Sequence, residues 1–182
     1  MLTKPTYTSW GQLLQPDLML GSSVLTLTPE VLQRHNLKGL VLDVDDTLVP
    51  FSMPEASDDL RQWVELIRPT TVLWLVSNNL SQNRISRIAR CLDLPYIAGA
   101  RKPSRRKLRQ ATKAMNLPVH QIAMVGDRLF TDVLAGNRLG MFTVLVEPML
   151  NPARKKQRYH LRNFEVWLSQ ILGATLSAKE EM

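Results

Sequence analysis

Cysteine is nearly absent from this 182-residue chain: Cys91 stands alone, so neither an internal disulfide nor a cysteine-based zinc site can be built. The three histidines, His35, His120 and His160, are far apart, which argues against a histidine metal site and leaves each to surface or packing. Long apolar runs are missing too. The longest aliphatic-aromatic stretch is Val72 to Val76, far short of a membrane span. Pro5 and its polar neighbours stand where a secretion signal would need an apolar core. No GxGxxG follows any strand-like segment and no phosphate-binding P-loop is present, so dinucleotide and nucleoside-triphosphate folds are disfavoured. What is present is ordinary globular usage, 45% hydrophobic and 21% charged residues, which excludes disorder for the whole chain. The expectation is a soluble, one-domain protein from a reducing compartment, with a bacterial cytoplasm or an organelle as its setting.

Acidic residues are missing from one region in particular. Residues 1–80 hold 5 Lys+Arg and 9 Asp+Glu, a net of −4, whereas residues 81–182 hold 18 and 7, a net of +11. Between Leu94 and Gly126 there is no acidic residue, against seven basic ones: Arg101, Lys102, Arg105, Arg106, Lys107, Arg109 and Lys113. A second cluster comprises Arg154, Lys155, Lys156, Arg158 and Arg162. Such a field attracts phosphate, nucleic acid or an anionic membrane, and it serves equally as a solvated face that keeps a protein in solution. Arg101, Arg105 and Arg106 read first as solvated surface, with substrate phosphates or lipid headgroups as the functional alternative.

Four short buried segments, Gly39–Val44, Val72–Val76, Ile122–Val125 and Thr143–Val146, read as strands, with Pro95–Ala98 a shorter fifth. Helical spacing lies between them. Leu60, Trp63, Val64 and Ile67 follow a cap at Ser57; Ile85, Ile88, Ala89 and Leu92 follow Ser81; Leu108, Ala111 and Met115 follow Ser104. Cys91 sits beside the apolar positions of its helix, in a structural role, and Trp74 within its strand is expected in the core. Alternation of this kind predicts an α/β fold, a three-layer doubly wound parallel sheet. Near the start, Trp10–Leu20 is apolar and broken by Pro16, and Thr28-Pro29-Glu30 opens a helix. Near the end, Phe164, Trp167, Leu168 and Ile171 predict an amphipathic helix, packed on the domain or lying on a membrane. Residues from Ala174 onward are expected to fray.

Ligands of such sheets bind beyond the carboxyl ends of the strands, and the polar residues gather there: Asp43 and Asp45, Ser77 and Asn78, then Gly126-Asp127. Asp43, Asp45 and Asp46 crowd negative charge at one strand end, which costs free energy unless a cation binds. Side chains alternate along extended chain, so Asp43 and Asp45 can face one ligand. A hard divalent ion suits them, and Mg²⁺ suits a site that also holds phosphate; Asp127 is the obvious further carboxylate. With hydroxyls at Thr47 and Ser77 and a lysine at Lys102, the set fits phosphoryl transfer. One aspartate can attack phosphorus while the other protonates the leaving oxygen and later activates water.

These residues carry a resemblance. Asp43-Val-Asp45-Asp46-Thr47 resembles the DxDxT signature of haloacid dehalogenase (HAD) superfamily phosphatases; Ser77 resembles the second motif, Lys102 the third, and Gly126-Asp127 through Thr131-Asp132 the fourth, GDxxxTD. The resemblance implies a HAD-like Rossmannoid fold with Asp43 as nucleophile and Asp45 as general acid/base. It implies Mg²⁺ held by Asp43, the Asp45 carbonyl and Asp127, with Asp132 as a ligand or a support behind them. Ser77 and Lys102 would bind the phosphoryl group, with Thr47 and Asn78 as helpers. Val76-Ser-Asn-Asn79, Ala100-Arg-Lys-Pro103 and Gly126 through Asn137 are similar to the YqeG-like group of subclass IIIA, where Asn usually stands in place of Asp46; the change adds a charge near the metal. Members of that group include phosphatidylglycerophosphate phosphatases of phospholipid biosynthesis, so the resemblance implies that substrate, an anionic phospholipid at a membrane surface.

Spacing adds an argument of its own. Only 29 residues separate Thr47 from Ser77, and 24 separate Ser77 from Lys102, which leaves no room for a cap domain. An open site suits a large substrate or a headgroup projecting from a bilayer, where each basic residue near an anionic surface contributes about 1 kcal/mol. The expected organisation is an N-terminal extension (1–36) on a phosphatase core (37–150), then a basic segment with the C-terminal helix (151–182). Three functions stay open: a lipid phosphatase, peripheral on the inner membrane face; an uncapped phosphatase acting on a phosphoprotein, a nucleic acid end or a soluble metabolite; and a non-catalytic basic module binding nucleic acid. The 101–113 stretch lacks interleaved aromatics for base stacking, which weakens the last.

Overall fold

The computed structural model describes residues 9–149 and 155–175, with no side chains described for 155–162. Arg154 and the side chains of the rest of the second basic cluster therefore lie outside the described residues. Six parallel strands form one sheet: β1 (Leu18–Met19), β2 (Gly39–Leu42), β3 (Val72–Val76), β4 (Tyr96–Ile97), β5 (Ile122–Gly126) and β6 (Phe142–Leu145), in the order β1-β6-β5-β2-β3-β4. Parallel strands require crossovers, and helices α2 (Pro29–Arg34), α3 (Asp58–Ile67), α4 (Gln82–Leu92), α5 (Arg106–Met115) and α6 (Leu134–Leu139) supply them, while α1 (Trp10–Leu13) precedes β1 and α7 (Lys155–Ile171) follows β6.

Strand β2 is buried at all four positions, and its side chains alternate between two cores. Leu40 and Leu42 join Leu75, Val125 and Val144 under α3 and α4; Val41 joins Val76 and Met124 under α5 and α6. The predicted stripe of α3 is the buried one, Leu60, Trp63, Val64 and Ile67, each stabilising by about 1.5–3 kcal/mol when fully covered. Ser57 and Ser81 accept the N–H groups of Leu60 and Arg84 as caps. Ser104 does not cap α5, which begins after Arg105 with no side-chain cap. Trp74, expected in the core, is only partly buried.

The ends of the chain depart furthest from expectation. Residues 18–19 complete the sheet as an edge strand on β6, in a segment whose sequence carries no strand signal. Polar contacts pin that segment: Asp17 accepts the N–H and the hydroxyl of Thr143 at 2.7 and 2.8 Å, and the Asn137 amide donates to the carbonyls of Leu13 and Gln15 at 2.9 and 2.8 Å. Helix α7 forms but packs with the face opposite to the apolar stripe: Glu165 and Ser169 are buried, while Phe164, Trp167 and Ile171 are 55%, 56% and 61% exposed. Ala174 and Thr175 do not fray; Ala174 is buried and the Thr175 N–H donates to Gln15 Oε1 at 2.9 Å. No helix among the described residues is long and apolar enough to cross a membrane.

An ion pair explains the orientation of α7. Glu165 accepts Arg128 Nη2 at 2.7 Å and Nε at 3.1 Å, and the Leu129 N–H at 3.2 Å. Removing one partner of a buried pair costs about 3–5 kcal/mol, less where solvent reaches it, and the Arg128 side chain is 35% exposed. Glu165→Ala is expected to lower stability by about 1–3 kcal/mol in urea unfolding; a change no larger than that of a surface substitution would show that α7 is held by other contacts.

Candidate active site

Strand order reverses at β2: the chain leaves it toward β3 and β4 on one side and returns as β5 and β6 on the other. The crevice at that switch point, beyond the carboxyl ends of the strands, gathers the site. Asp43 extends β2, its N–H still donating to Val125 O at 2.9 Å. Ser77 follows β3, Lys102 stands five residues beyond β4, and Asp127 follows β5. A π-helical turn, Leu129–Val133, carries Asp132 back over Gly126, where a Cβ would sit 2.4 Å from Asp132 Cγ; glycine is what lets the carboxylate close in.

Lys102 is the hub. Its Nζ lies 2.6 Å from Asp43 Oδ1 and 2.7 Å from Asp132 Oδ1, and donates to the Val76 carbonyl at 3.0 Å, with the side chain 1% exposed. Burial opposes its charge, but Asp132 and Asp43 outweigh burial and hold the ammonium above its ordinary pKa. Asp43 is pushed the other way: burial raises its pKa to about 6, against the lowering pull of Lys102 and with Asp132 adding to the rise. Thr47 Oγ1 accepts the Asp127 N–H at 3.2 Å and lies 3.1 Å from Asp127 Oδ1 and 3.2 Å from Asp43 Oδ2, with one proton to share between them.

The other residues form a second arm. Ser77 donates to Asp45 Oδ2 at 3.1 Å and accepts the Asn79 N–H at 2.9 Å. Asn78 spends its amide on the Lys102 backbone, accepting the N–H at 2.6 Å and donating to the carbonyl at 3.1 Å, so it sets the lysine loop in place. Asp46 is not part of the carboxylate trio described below. It sits at φ 63, a left-handed position where Asn and Asp are best tolerated, and its Oδ1 accepts the Phe51 N–H at 2.8 Å.

Two participants escaped the sequence reading. Arg84, on α4, donates through Nε to Asp45 Oδ1 at 2.9 Å, reaches the carbonyls of Met53 and Pro50, and lies 5.4 Å from the Phe51 ring centroid. Glu165 of α7 reaches the site through Arg128. Neither has a spacing signal; Arg84 is 39 residues from Asp45 and Glu165 is 37 from Arg128.

Asp43, Asp45, Ser77, Asn78, Lys102 and Arg128 line an open cavity of about 270 Å³, with Phe51 at its wall. A roomier cavity of about 530 Å³ lies between α1 and Thr175, but its one carboxylate, Asp17, is engaged with Thr143, and the chemistry is not there. Asp43, Asp127 and Asp132, all buried, offer carboxylate oxygens within 4.8 Å of one another. Asp132 Oδ1 is paired with the Lys102 ammonium at 2.7 Å. Three buried carboxylates against one lysine, all offering oxygen donors, fit a hard divalent cation.

That fit generates a pH prediction. Because the folded-state pKa of Asp43 is raised to about 6, the folded protein keeps a proton that the unfolded chain has released from about pH 4 upward. The stability tied to that proton is fully present at low pH and is lost as pH rises through about 6, while a cation competing for the carboxylate binds better over the same interval. Thermal stabilisation by added Mg²⁺ is expected to be larger at about pH 7.5 than at about pH 5; equal shifts at both would count against a cation on Asp43.

Comparison with known proteins agrees with this geometry. Residues 99–157 match the HAD-hydrolase-like family model. Over 127 residues, covering 70% of this chain and 74% of the relative, the chain is 35% identical to the probable phosphatase YqeG of Bacillus subtilis. It is 32% identical over 127 residues, 65% of this chain, to the chloroplastic phosphatidylglycerophosphate phosphatase 1 of Chlamydomonas reinhardtii, of which the match spans 47%. Among solved structures, the cobalt-bound deoxy-D-mannose-octulosonate 8-phosphate phosphatase YrbI of Haemophilus influenzae shares the fold, with a TM-score of 0.51 at 14% identity over 79% of this chain and 80% of that one. The chain is a phosphatase and belongs to the haloacid dehalogenase superfamily.

Proposed function

We propose that the protein is a Mg²⁺-dependent phosphomonoester hydrolase that works through an aspartyl-phosphate on Asp43, with phosphatidylglycerophosphate as its substrate. The observation that carries the mechanism is the buried lysine bridging Asp43 and Asp132 at the floor of an open cavity. Bound Mg²⁺, held by Asp43, the Asp45 carbonyl and Asp127 with Asp132 beside them, would neutralise charge on the phosphoryl oxygens. Lys102 and Ser77 bind the same oxygens. An Asp43 carboxylate oxygen attacks phosphorus, the bond from phosphorus to the leaving alcohol oxygen breaks, and Asp45 gives that oxygen a proton. Water then attacks the phosphorus of the acyl phosphate, Asp45 takes its proton, and the P–O bond to Asp43 breaks to release inorganic phosphate. Arg84 and Ser77 hold the Asp45 carboxylate in place for both proton transfers.

What supports the lipid is the similarity to a phosphatidylglycerophosphate phosphatase, the absence of any cap between Thr47 and Ser77, where α3 is the only helix, and the exposed aromatic face of α7. Phe164 and Trp167, ring centroids 6.0 Å apart, and Ile171 share that face, as a helix lying on a bilayer would require, and this supports the reading of a peripheral place on an anionic membrane.

Phosphate release from vesicles containing phosphatidylglycerophosphate, with Mg²⁺, tests the proposal. Wild type is expected to release phosphate and Asp43→Asn to lose at least about a thousandfold in rate. Hydrolysis of an aryl phosphate without release from the lipid would remove the lipid and keep the mechanism; silence on both substrates would favour a basic binding module.

A further inference from the structure

Beside the catalytic cavity lies a second one, of about 410 Å³, lined among others by Leu80, Arg101, Arg106 and Lys107. The two are neighbours along two loops at once: Asn79 and Lys102 line the first, while Leu80 and Arg101, next to them in the chain, line the second. Consecutive Cα atoms are only about 3.8 Å apart, so little more than a backbone's width divides the cavities. The dividing loops are joined to each other, the Gly99 N–H donating to Asn79 O and the Ala100 N–H to Ser77 O, both at 2.9 Å. Arg101 stands at φ 55, a conformation that side chains other than glycine adopt at a cost. The turn sends Lys102 into the buried catalytic centre and leaves Arg101 exposed next door.

Cations on a convex surface need no explanation. These three line a concavity, and none has an ion pair or a side-chain hydrogen bond with another described residue. The chain from Leu94 to Gly126 supplies no carboxylate to neutralise them. Like charges gathered in a concavity raise the local potential and favour an anion there, and guanidinium groups match phosphate in shape and donor geometry.

We propose that this basic cavity binds a second, non-reacting phosphate of the substrate, a phosphodiester one glycerol unit away from the phosphomonoester that is cleaved. The proposal rests on the lipid phosphatase reading and narrows it to glycerol-linked substrates carrying two phosphates. Arg106 and Lys107 contact the phosphodiester from the first turn of α5, and Arg101 does so from the loop shared with Lys102. These contacts set specificity; the reacting atoms stay with Lys102 and the carboxylates.

Two water-soluble compounds test it without a bilayer, so that anionic lipid around the enzyme cannot stand in for the substrate's own phosphodiester. Glycerophosphoglycerophosphate, the deacylated headgroup, carries both phosphates; glycerol 3-phosphate carries only the one that reacts. Wild type is expected to prefer the first by about tenfold or more in kcat/KM, as charge-assisted contacts to phosphate would give. In R106Q/K107Q that preference is expected to fall toward unity, with the thermal midpoint showing a folded protein. Should the double variant not fold, R106E, on an exposed side chain, gives the same readout. A wild-type preference at or below unity, or one undiminished in the variant, would overturn the second-phosphate site and leave the phosphatase standing. If wild type hydrolyses neither compound, the lipid phosphatase reading fails and this site fails with it.

Discussion

Everything at the centre of this protein depends on one ammonium group between carboxylates. Lys102 Nζ meets Asp43 and Asp132 at 2.6 and 2.7 Å in a space that water scarcely reaches. Three carboxylates buried together repel one another, and a single lysine does not balance them. Burial, with the neighbouring carboxylates adding to it, accounts for the raised pKa of Asp43, and the excess negative charge fits the cluster to a divalent cation. It is also destabilising in itself, and the fully apolar layers on both faces of β2 offset it. In the proposed function, a phosphate dianion would meet the same lysine.

The rigidity of the cluster comes from parts far apart in the chain. β2 delivers Asp43, the turn after β5 delivers Asp127, and the π-helical turn folds Asp132 over a position where only hydrogen fits. The ends of the chain hold that turn from outside. Leu14 of the N-terminal segment and Ala174 pack with Leu129 and Val133, and Glu165 fastens Arg128, the residue after Asp127. A charged contact from α7 thus ends one residue away from Asp127, one of the three clustered carboxylates, while the opposite face of the same helix stays apolar and exposed.

The parts of this structure that were legible in the sequence are those with local patterns. Short aliphatic runs ending in polar residues marked β2, β3 and β5 and placed Asp43, Ser77 and Asp127 at one edge of the sheet, and period-3.6 stripes with serine caps marked α3 and α4. The rest depends on contacts that no local pattern encodes. Leu18–Met19 is a strand because β6 has a free edge and Asp17 clamps Thr143, not because of its own propensity. The apolar stripe of α7 predicts a buried face, and the Glu165–Arg128 pair turns the helix the other way. Asp46, which the motif comparison places as an added charge near the metal, lies outside the clustered carboxylates and accepts the Phe51 N–H, a loop contact that no local pattern encodes. Arg101 and Arg106 read as solvated surface until the fold set them around a cavity beside Lys102.

Phosphorylation of Asp43 during turnover is the claim on which the chemistry rests, and it can be read directly. Borohydride added to the enzyme as it turns over a phosphomonoester reduces an aspartyl-phosphate to homoserine, which changes the residue mass. Mass spectrometry of the peptide spanning Asp43 to Thr47 is expected to find homoserine at position 43 and nowhere else in the chain. Homoserine at another aspartate, or turnover with none at all, would contradict the assignment of Asp43 as the nucleophile.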